Sequence, residues 1–390
     1  MNQVSARNNH IEILRAIAVL YVLILHIQVV PYFYDGVQFL TTLYQQFGLS
    51  VGVDLFLVIS GYVITTSLLR VMNSSAAPKR QQILSFWIRR IFRLLPSAWT
   101  WLIVVVIYDL AFYIFTGDSI GFAKDLLAVV IAVFNGLNVY AGYCYPGSPV
   151  EWCAPNVAHG HYWTLSLEEQ FYLLFPLLFF FVNRKIFIAT VVIAIALQLF
   201  WKRPLFTLFF YLKTDALCWG VLLALFSSTS QYQNMQAFFC KHAKISLYLL
   251  LALLVLLPWA AAETWGVFTM RSYGVSLIAF IGALIVLLAS FEFLRLDVKQ
   301  PATKLMLYLG SRSYGIYVIH LIVFQIIGEA RNLYNLEITN STWQYTYDWF
   351  LVLIAVVLTL YLAELNFRNI ERPWREKGRI ISKRMLQGTT

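Results

Sequence analysis

Polar and charged positions in this 390-residue chain gather into short clusters, and between them run apolar stretches of roughly 17 to 25 residues, the length of a bilayer-spanning helix. Ten of them, near 11–30, 47–69, 94–116, 163–182, 186–201, 204–226, 245–262, 272–291, 304–328 and 348–367, predict an all-α, polytopic membrane helix bundle. A further stretch, 124–140, is apolar but short and is interrupted by Asn135, Gly136 and Asn138, so it is expected to be re-entrant or interfacial. The first stretch is read as a retained helix, because it carries Arg15 and His26 and no small-residue cleavage site follows before Pro31. From Gln81 to Arg93, Ile83, Leu84, Trp87, Ile91 and Phe92 stand against Arg89, Arg90 and Arg93, the pattern of an amphipathic entry into the third span. No internal repeat is visible, and residues 1–390 are read as one membrane-embedded domain.

Composition identifies the solvent. Hydrophobic residues make up 60% and charged residues 12%, where a soluble domain is nearer half and a quarter. Aromatics reach 17%, with 12 Trp and 23 Tyr, the residues that suit a headgroup boundary. The formal charge of +10 raises the question of nucleic acid, but the basic residues sit in short loops instead. With the N-terminus inside, 22 of the 29 Lys and Arg fall on the inner side, the positive-inside pattern, with both termini cytoplasmic and no nucleic-acid partner. Counting 124–140 as a full crossing would place Arg184, Lys185 and the basic C-terminal tail outside, against that rule. The four cysteines show no metal-ligand spacing, so no metal is expected. Cys144 and Cys153 share the polar loop Tyr140–Gly160, with Pro146, Pro149 and Pro155, and can pair if that loop faces an oxidising compartment. The loop either covers a cleft or is irregular packing.

Charges inside spans cost a few kcal/mol at least, so each one is a functional candidate. Arg15 and His26 are eleven residues apart, about three turns and ~16 Å along one helix face, so both are expected to point into one groove. Asp54 and Glu168 fall at a depth similar to His26 in the second and fourth spans, and an imidazole with carboxylates beside it can be oriented as a base. A purely structural polar cluster is the alternative. Lys213 and Asp215, two apart, point to different faces and suggest no specific role.

Six stretches carry a family resemblance. Glu12-Ile-Leu-Arg15 through His26 is similar to the opening of the acyltransferase-3 family, with its Arg, ten residues, His. Val51-Gly-Val-Asp54 through Ser60-Gly61-Tyr resembles the family's second-helix motif, and Phe86-Trp-Ile-Arg89-Arg90-Ile-Phe-Arg93-Leu-Leu-Pro96 its basic stretch. His161-Tyr-Trp163-Thr164-Leu-Ser-Leu-Glu168-Glu169-Gln170-Phe-Tyr172 resembles the Trp-Ser-Leu…Glu-Gln-Phe-Tyr signature, with Thr164 where Ser is common. Ser313-Tyr314-Gly-Ile-Tyr317-Val-Ile-His320 and Ile370-Glu371-Arg372-Pro373 resemble the last two landmarks. The six stand in the family's order from position 12 to 373. Some members of that family carry a hydrolase-like domain after the last span; none is expected here, so acyl delivery is expected to rest on the membrane part or on a separate partner.

The resemblance implies an O-acyltransferase of a bacterial inner membrane, moving acetyl from cytoplasmic acetyl-CoA to a hydroxyl of a saccharide, such as a lipid-linked or envelope glycan, or of a small molecule. Arg90 and Arg93, three apart on one helix face, would grip the CoA diphosphate, with Arg89 a further member. Arg15 would brace the donor, and Arg312 would either assist or form a salt bridge. His26 would act as general base or carry the acyl group itself, with Glu168 orienting it and Asp54 doing the same or serving structure. Tyr317, His320 and Trp163 are expected on the acceptor side. The rival reading is a transporter or flippase of lipid-linked saccharides, which also needs buried charges near the midplane.

Overall fold

The computed structural model describes residues 8–30, 38–144, 150–153, 159–204, 207–263, 273–333 and 341–387, and Pro146, Pro149 and Pro155 of the polar loop lie outside them. Among the described residues there is no strand. The first third holds α1 (Asn9–His26), α2 (Gln38–Gln46), α3 (Val51–Ser74), α4 (Lys79–Thr116), α5 (Ser119–Val133) and α6 (Leu137–Tyr143). The middle holds α7 (Trp163–Phe181), α8 (Arg184–Phe200), α9 (Leu208–Tyr211), α10 (Asp215–Phe226), α11 (Ser230–Lys241) and α12 (Ala243–Glu263). The last part holds α13 (Gly274–Ser290), α14 (Pro301–Leu333), α15 (Ser341–Asn366) and α16 (Arg372–Gln387).

Eight helical stretches among the described residues are long and apolar enough to cross a membrane. Two of the ten expected spans are shorter: α8 and α13 have 17 residues each and reach only ~26 Å, the lower limit for crossing. The outward surface is apolar, as lipid requires: Ile193 and Leu197 on α8, Leu353 and Val357 on α15 and Ile103 and Ile107 on α4 are all more than half exposed. The chain is an integral membrane protein built as a helical bundle.

Three local departures from the apolar pattern have physical causes. The amphipathic stretch 81–93 and the third span form one helix, α4, of 38 residues, ~57 Å long and so longer than the hydrocarbon layer. Its basic half is covered by the amphipathic α16: Trp374 lies 5.7 Å from Phe92, and the Ser85 and Ser382 hydroxyls meet at 2.7 Å. The stretch 124–140 is a helix, a break and a second short helix, turning at Asn135 with φ 58, a conformation asparagine tolerates. Gln170 holds the break, donating to the Asn135 carbonyl at 2.7 Å and pairing with the Asn138 amide. The expected span 204–226 is interrupted between α9 and α10, where Lys213 turns to Asp54 on α3 at 3.1 Å and Asp215 receives both terminal nitrogens of Arg203, at 3.0 and 2.8 Å. The different faces of Lys213 and Asp215 thus serve two separate buried ion pairs.

α1 is the central element. Ala16, Val19, Val22 and Leu23 pack into one apolar cluster with α4, α5, α14 and α15, while Ile11, Leu14 and Ala18 pack into another with α3, α10, α12 and α13. Its closest neighbour is α14, because Gly310 lets the two backbones touch: a Cβ at Gly310 would stand 1.9 Å from the Glu12 carbonyl oxygen. That approach brings the far ends of both helices together, where the site lies. Gly310→Val is therefore expected to lower stability by about 1–3 kcal/mol or more, read as a fall in the thermal unfolding midpoint in detergent. The Glu371-Arg372-Pro373 landmark is a junction: a π-helical turn, Phe367–Glu371, joins α15 to α16. There Asn366 donates to Glu371 at 2.8 Å and ties to Ser97 and Trp101 of α4.

Candidate functional site

Arg15 and His26 lie on one helix, yet they line two stacked cavities and not a single groove. The cavity at the basic end encloses about 80 Å³ and is lined by Arg15 of α1, Ser60 of α3, Arg90 and Arg93 of α4, and Glu168 and Tyr172 of α7. Arg90 and Arg93 are one turn apart on α4, so both reach the same space. The Arg90 guanidinium lies between two rings, 5.4 Å from the Phe86 centroid and 5.6 Å from that of Tyr172, which hold its plane without neutralising its charge. Arg15 is paired with Glu12 at 3.0 Å. Glu168 accepts hydrogen bonds from the Ser60 hydroxyl at 3.0 Å and from the Tyr172 hydroxyl. Three guanidinium groups against one carboxylate in the wall, with Glu12 behind Arg15, leave the cavity positive and suited to an anion.

The second cavity, about 410 Å³, lies toward the end that carries the Cys144–Cys153 disulfide. His26, at the C-terminus of α1, faces it together with His161, Trp163, Lys213 and Tyr317. The hydrogen bonds of His26 fix its tautomer. A carbonyl oxygen only accepts, so His320 Nδ1, 2.7 Å from the Tyr317 oxygen, carries the proton in the neutral ring, and its Nε2 is an acceptor. The 3.1 Å contact from His26 Nδ1 to His320 Nε2 is then donated by His26, whose Nδ1–H also reaches the Val22 oxygen at 2.9 Å. This leaves the lone pair on His26 Nε2. The arrangement is a base held by a second group, the geometry that general-base and nucleophilic sites share. His161 completes the cluster, its ring 5.0 Å from that of His320 and its Nε2 donating to the Val318 oxygen.

Tyr317 and Val53 line both cavities and form the partition between them. The Tyr317 and Thr164 hydroxyls are 2.7 Å apart and both lie within hydrogen-bond distance of the His161 carbonyl oxygen, at 3.0 and 3.1 Å. The hydroxyl that Thr164 shares with serine is the group used here.

The structure does not bring His26, Asp54 and Glu168 into one cluster. Glu168 lines the basic cavity, two positions short of a full two turns beyond Trp163 on α7, and Asp54 points from α3 toward α10 and Lys213. His320 occupies the orienting place expected of a carboxylate. Arg89 is turned to α16, donating to the Ser85 and Ser382 hydroxyls at 2.7 and 2.6 Å, and is not among the lining residues. Arg312 takes the salt-bridge alternative, with Glu364 at 2.9 Å and the Phe367 ring at 4.0 Å. Trp163 and Tyr317 do line the cavity that His26 faces. His161, which heads the run that contains Trp163, carries no role by its sequence pattern, and neither does Lys213, whose partner lies 159 positions away. Among the described residues no group of three or more His, Cys, Asp or Glu is arranged to hold a metal ion.

A family model described as an acyltransferase domain matches residues 8–365. A Staphylococcus aureus (strain COL) protein, provisionally named an O-acetyltransferase, is 28% identical over 94% of this chain and 57% of its own length. The peptidoglycan O-acetyltransferase OatA of Listeria monocytogenes is 27% identical over 84% of this chain and 51% of its own length. The O-acetyltransferase OatA of Staphylococcus aureus (strain NCTC 8325 / PS 47) is 26% identical over 84% of the chain and 53% of its own. The chain thus spans about half the length of the curated relatives it matches. No solved structure matches it.

Proposed function

Because this chain belongs to the acyltransferase-3 family, we propose that it is an O-acyltransferase that moves acetyl from cytoplasmic acetyl-CoA to a hydroxyl of a cell-envelope glycan, as one membrane-embedded domain of a bacterial inner membrane. The observation that carries this reading is the stacking of a positive cavity on a histidine-lined one, with a single partition between them. A transfer across a bilayer needs an anion-binding donor side and a base on the acceptor side. Arg90, Arg93 and Arg15 suit the phosphates of CoA, with the basic end of the bundle in the cytoplasm. His26 Nε2 takes the proton of the acceptor hydroxyl, either as the oxygen attacks the thioester carbonyl or after the acetyl has first been carried on His26. In the direct route the C–S bond breaks as the C–O bond forms. In the carried route a C–N bond to His26 Nε2 forms as the C–S bond breaks, and itself breaks as the C–O bond forms, which frees Nε2 for the proton. In both the proton ends on the CoA thiol. Glu168, held by Ser60 and Tyr172, orders the donor cavity rather than His26.

The relative named a peptidoglycan O-acetyltransferase favours a glycan acceptor. The test is purified protein in nanodiscs with acetyl-labelled acetyl-CoA and envelope glycan. Label moving to glycan is the expected result. Glycan bound without any label moving would overturn the enzyme reading in favour of saccharide transport. The partition yields a further prediction. Tyr317→Ala should join the two cavities and admit water to the thioester, raising acetyl-CoA hydrolysis relative to transfer, measured as free thiol released per acetyl group on glycan.

A further inference from the structure

The geometry points to Lys213, pinned by Asp54 among aromatic rings, as the acceptor-binding subsite for an uncharged, N-acetylated sugar unit. This rests on the reading of the His26 cavity as the acceptor side. Lys213 lines that cavity with its side chain almost wholly buried, and its Nζ lies 3.1 Å from Asp54 Oδ2. The ammonium also sits 4.4 Å from the Phe210 centroid and 5.7 Å from that of Trp163. Trp163 in turn meets the Tyr211 ring edge-on at 4.9 Å, so three aromatic side chains and one cation share a single wall.

Stability does not account for this pair. A buried ion pair gives little net stability over apolar residues of the same size, because both charges are taken out of water. Asp54 Oδ1 is buried without a partner, a further cost. A pair kept at such cost on the wall of a cavity is better explained by what enters the cavity. Lys213 offers three N–H donors and Asp54 takes one of them.

The charge balance narrows the ligand. Lys213 and Asp54 sum to zero, so an anionic sugar would lose water on entering the cavity with no net countercharge beside it. An acetamido group meets the site without that penalty: its carbonyl oxygen accepts from Nζ, and its methyl group lies on the rings. The apolar C–H face of a pyranose packs on an indole or phenyl face, which is how mostly apolar pockets with a few placed polar groups orient ligands. Such a sugar seated at Lys213 occupies the same cavity as His26.

The test is equilibrium binding of chitotetraose to the full chain in nanodiscs, with tetragalacturonate as the anionic comparison and acetyl-CoA binding as the control for the fold. Wild type is expected to bind chitotetraose in preference to tetragalacturonate. The charge-balanced double variant Asp54→Asn, Lys213→Met is expected to bind it about tenfold more weakly, the loss of a hydrogen bond from a charged donor, with acetyl-CoA binding retained. Unchanged chitotetraose affinity in that variant, or a preference of wild type for the anionic sugar, overturns the assignment. If the double variant loses acetyl-CoA binding as well, Phe210→Leu decides: weaker chitotetraose binding is expected, and unchanged binding overturns it. Because the readout is binding, it is separate from the failure of acetyl transfer that would sink the enzymatic reading.

Discussion

His26→Ala is expected to reduce acetyl transfer to glycan by about 100- to 10,000-fold, the range for removal of one general base, with acetyl-CoA binding nearly unchanged. The two halves of that expectation come from the same geometry. His26 faces the larger cavity, whereas the arginines line the smaller one, and Tyr317 and Val53 stand between them. Loss of the imidazole therefore removes chemistry without touching the basic cavity. The check is single-turnover transfer beside equilibrium donor binding. Loss of both together would show that α1 had been displaced, and loss of neither would remove His26 from the reaction.

His320 refines this expectation. It contacts His26 and not the partition's far side, and its Nδ1 is committed to the Tyr317 carbonyl. It is a positioning residue: its Nε2 accepts the His26 proton that the reaction does not use, and it stabilises the imidazolium formed when Nε2 of His26 is protonated. His320→Gln retains an acceptor near that point and should keep part of the turnover. His320→Leu removes the acceptor and should lower kcat with the donor KM unchanged. A structural role alone would not distinguish the two substitutions, so rescue by glutamine is the diagnostic reading, with kcat and KM measured for both.

The bundle was legible because lipid imposes a strong pattern: every span in hydrocarbon must satisfy its own backbone, and long apolar runs betray it. The charge rule also separated the 124–140 segment from the full crossings, and the structure shows there a helix broken at Asn135. The site was less legible. Helical spacing along α1 put Arg15 and His26 into one groove, but one face of a helix can serve two cavities, and nothing in a spacing marks the wall that Tyr317 builds between them. Depth along the membrane grouped Asp54 and Glu168 with His26. Depth is one coordinate only, and the rotation of α3 and α7 turns Asp54 to Lys213 and Glu168 to Ser60 and Tyr172. The His26–His320 contact joins residues 294 positions apart and depends on the close approach at Gly310, which no local pattern announces.

Arg90→Ala with Arg93→Ala should weaken donor binding by about 100-fold or more, on the basis of about 1.5–3 kcal/mol for each hydrogen bond to a charged group. The expectation depends on how the two are held. Arg90 lies between the Phe86 and Tyr172 rings, so its guanidinium is positioned but keeps its charge and its donors. Arg89, next in sequence, is already tied to the Ser85 and Ser382 hydroxyls and faces α16, so Arg89→Ala should leave donor affinity nearly as it was and act on the packing of α16. The comparison separates a specific cavity from a generally basic surface. Binding of acetyl-CoA, measured at two salt concentrations, should show a strong salt dependence in wild type that falls in the double variant, since fewer fixed cations then meet the phosphates. Equal losses from Arg89→Ala and from the double variant would mean that the basic end attracts CoA only by its net charge, and the cavity lined by Arg15, Arg90 and Arg93 would lose its assignment as the donor site.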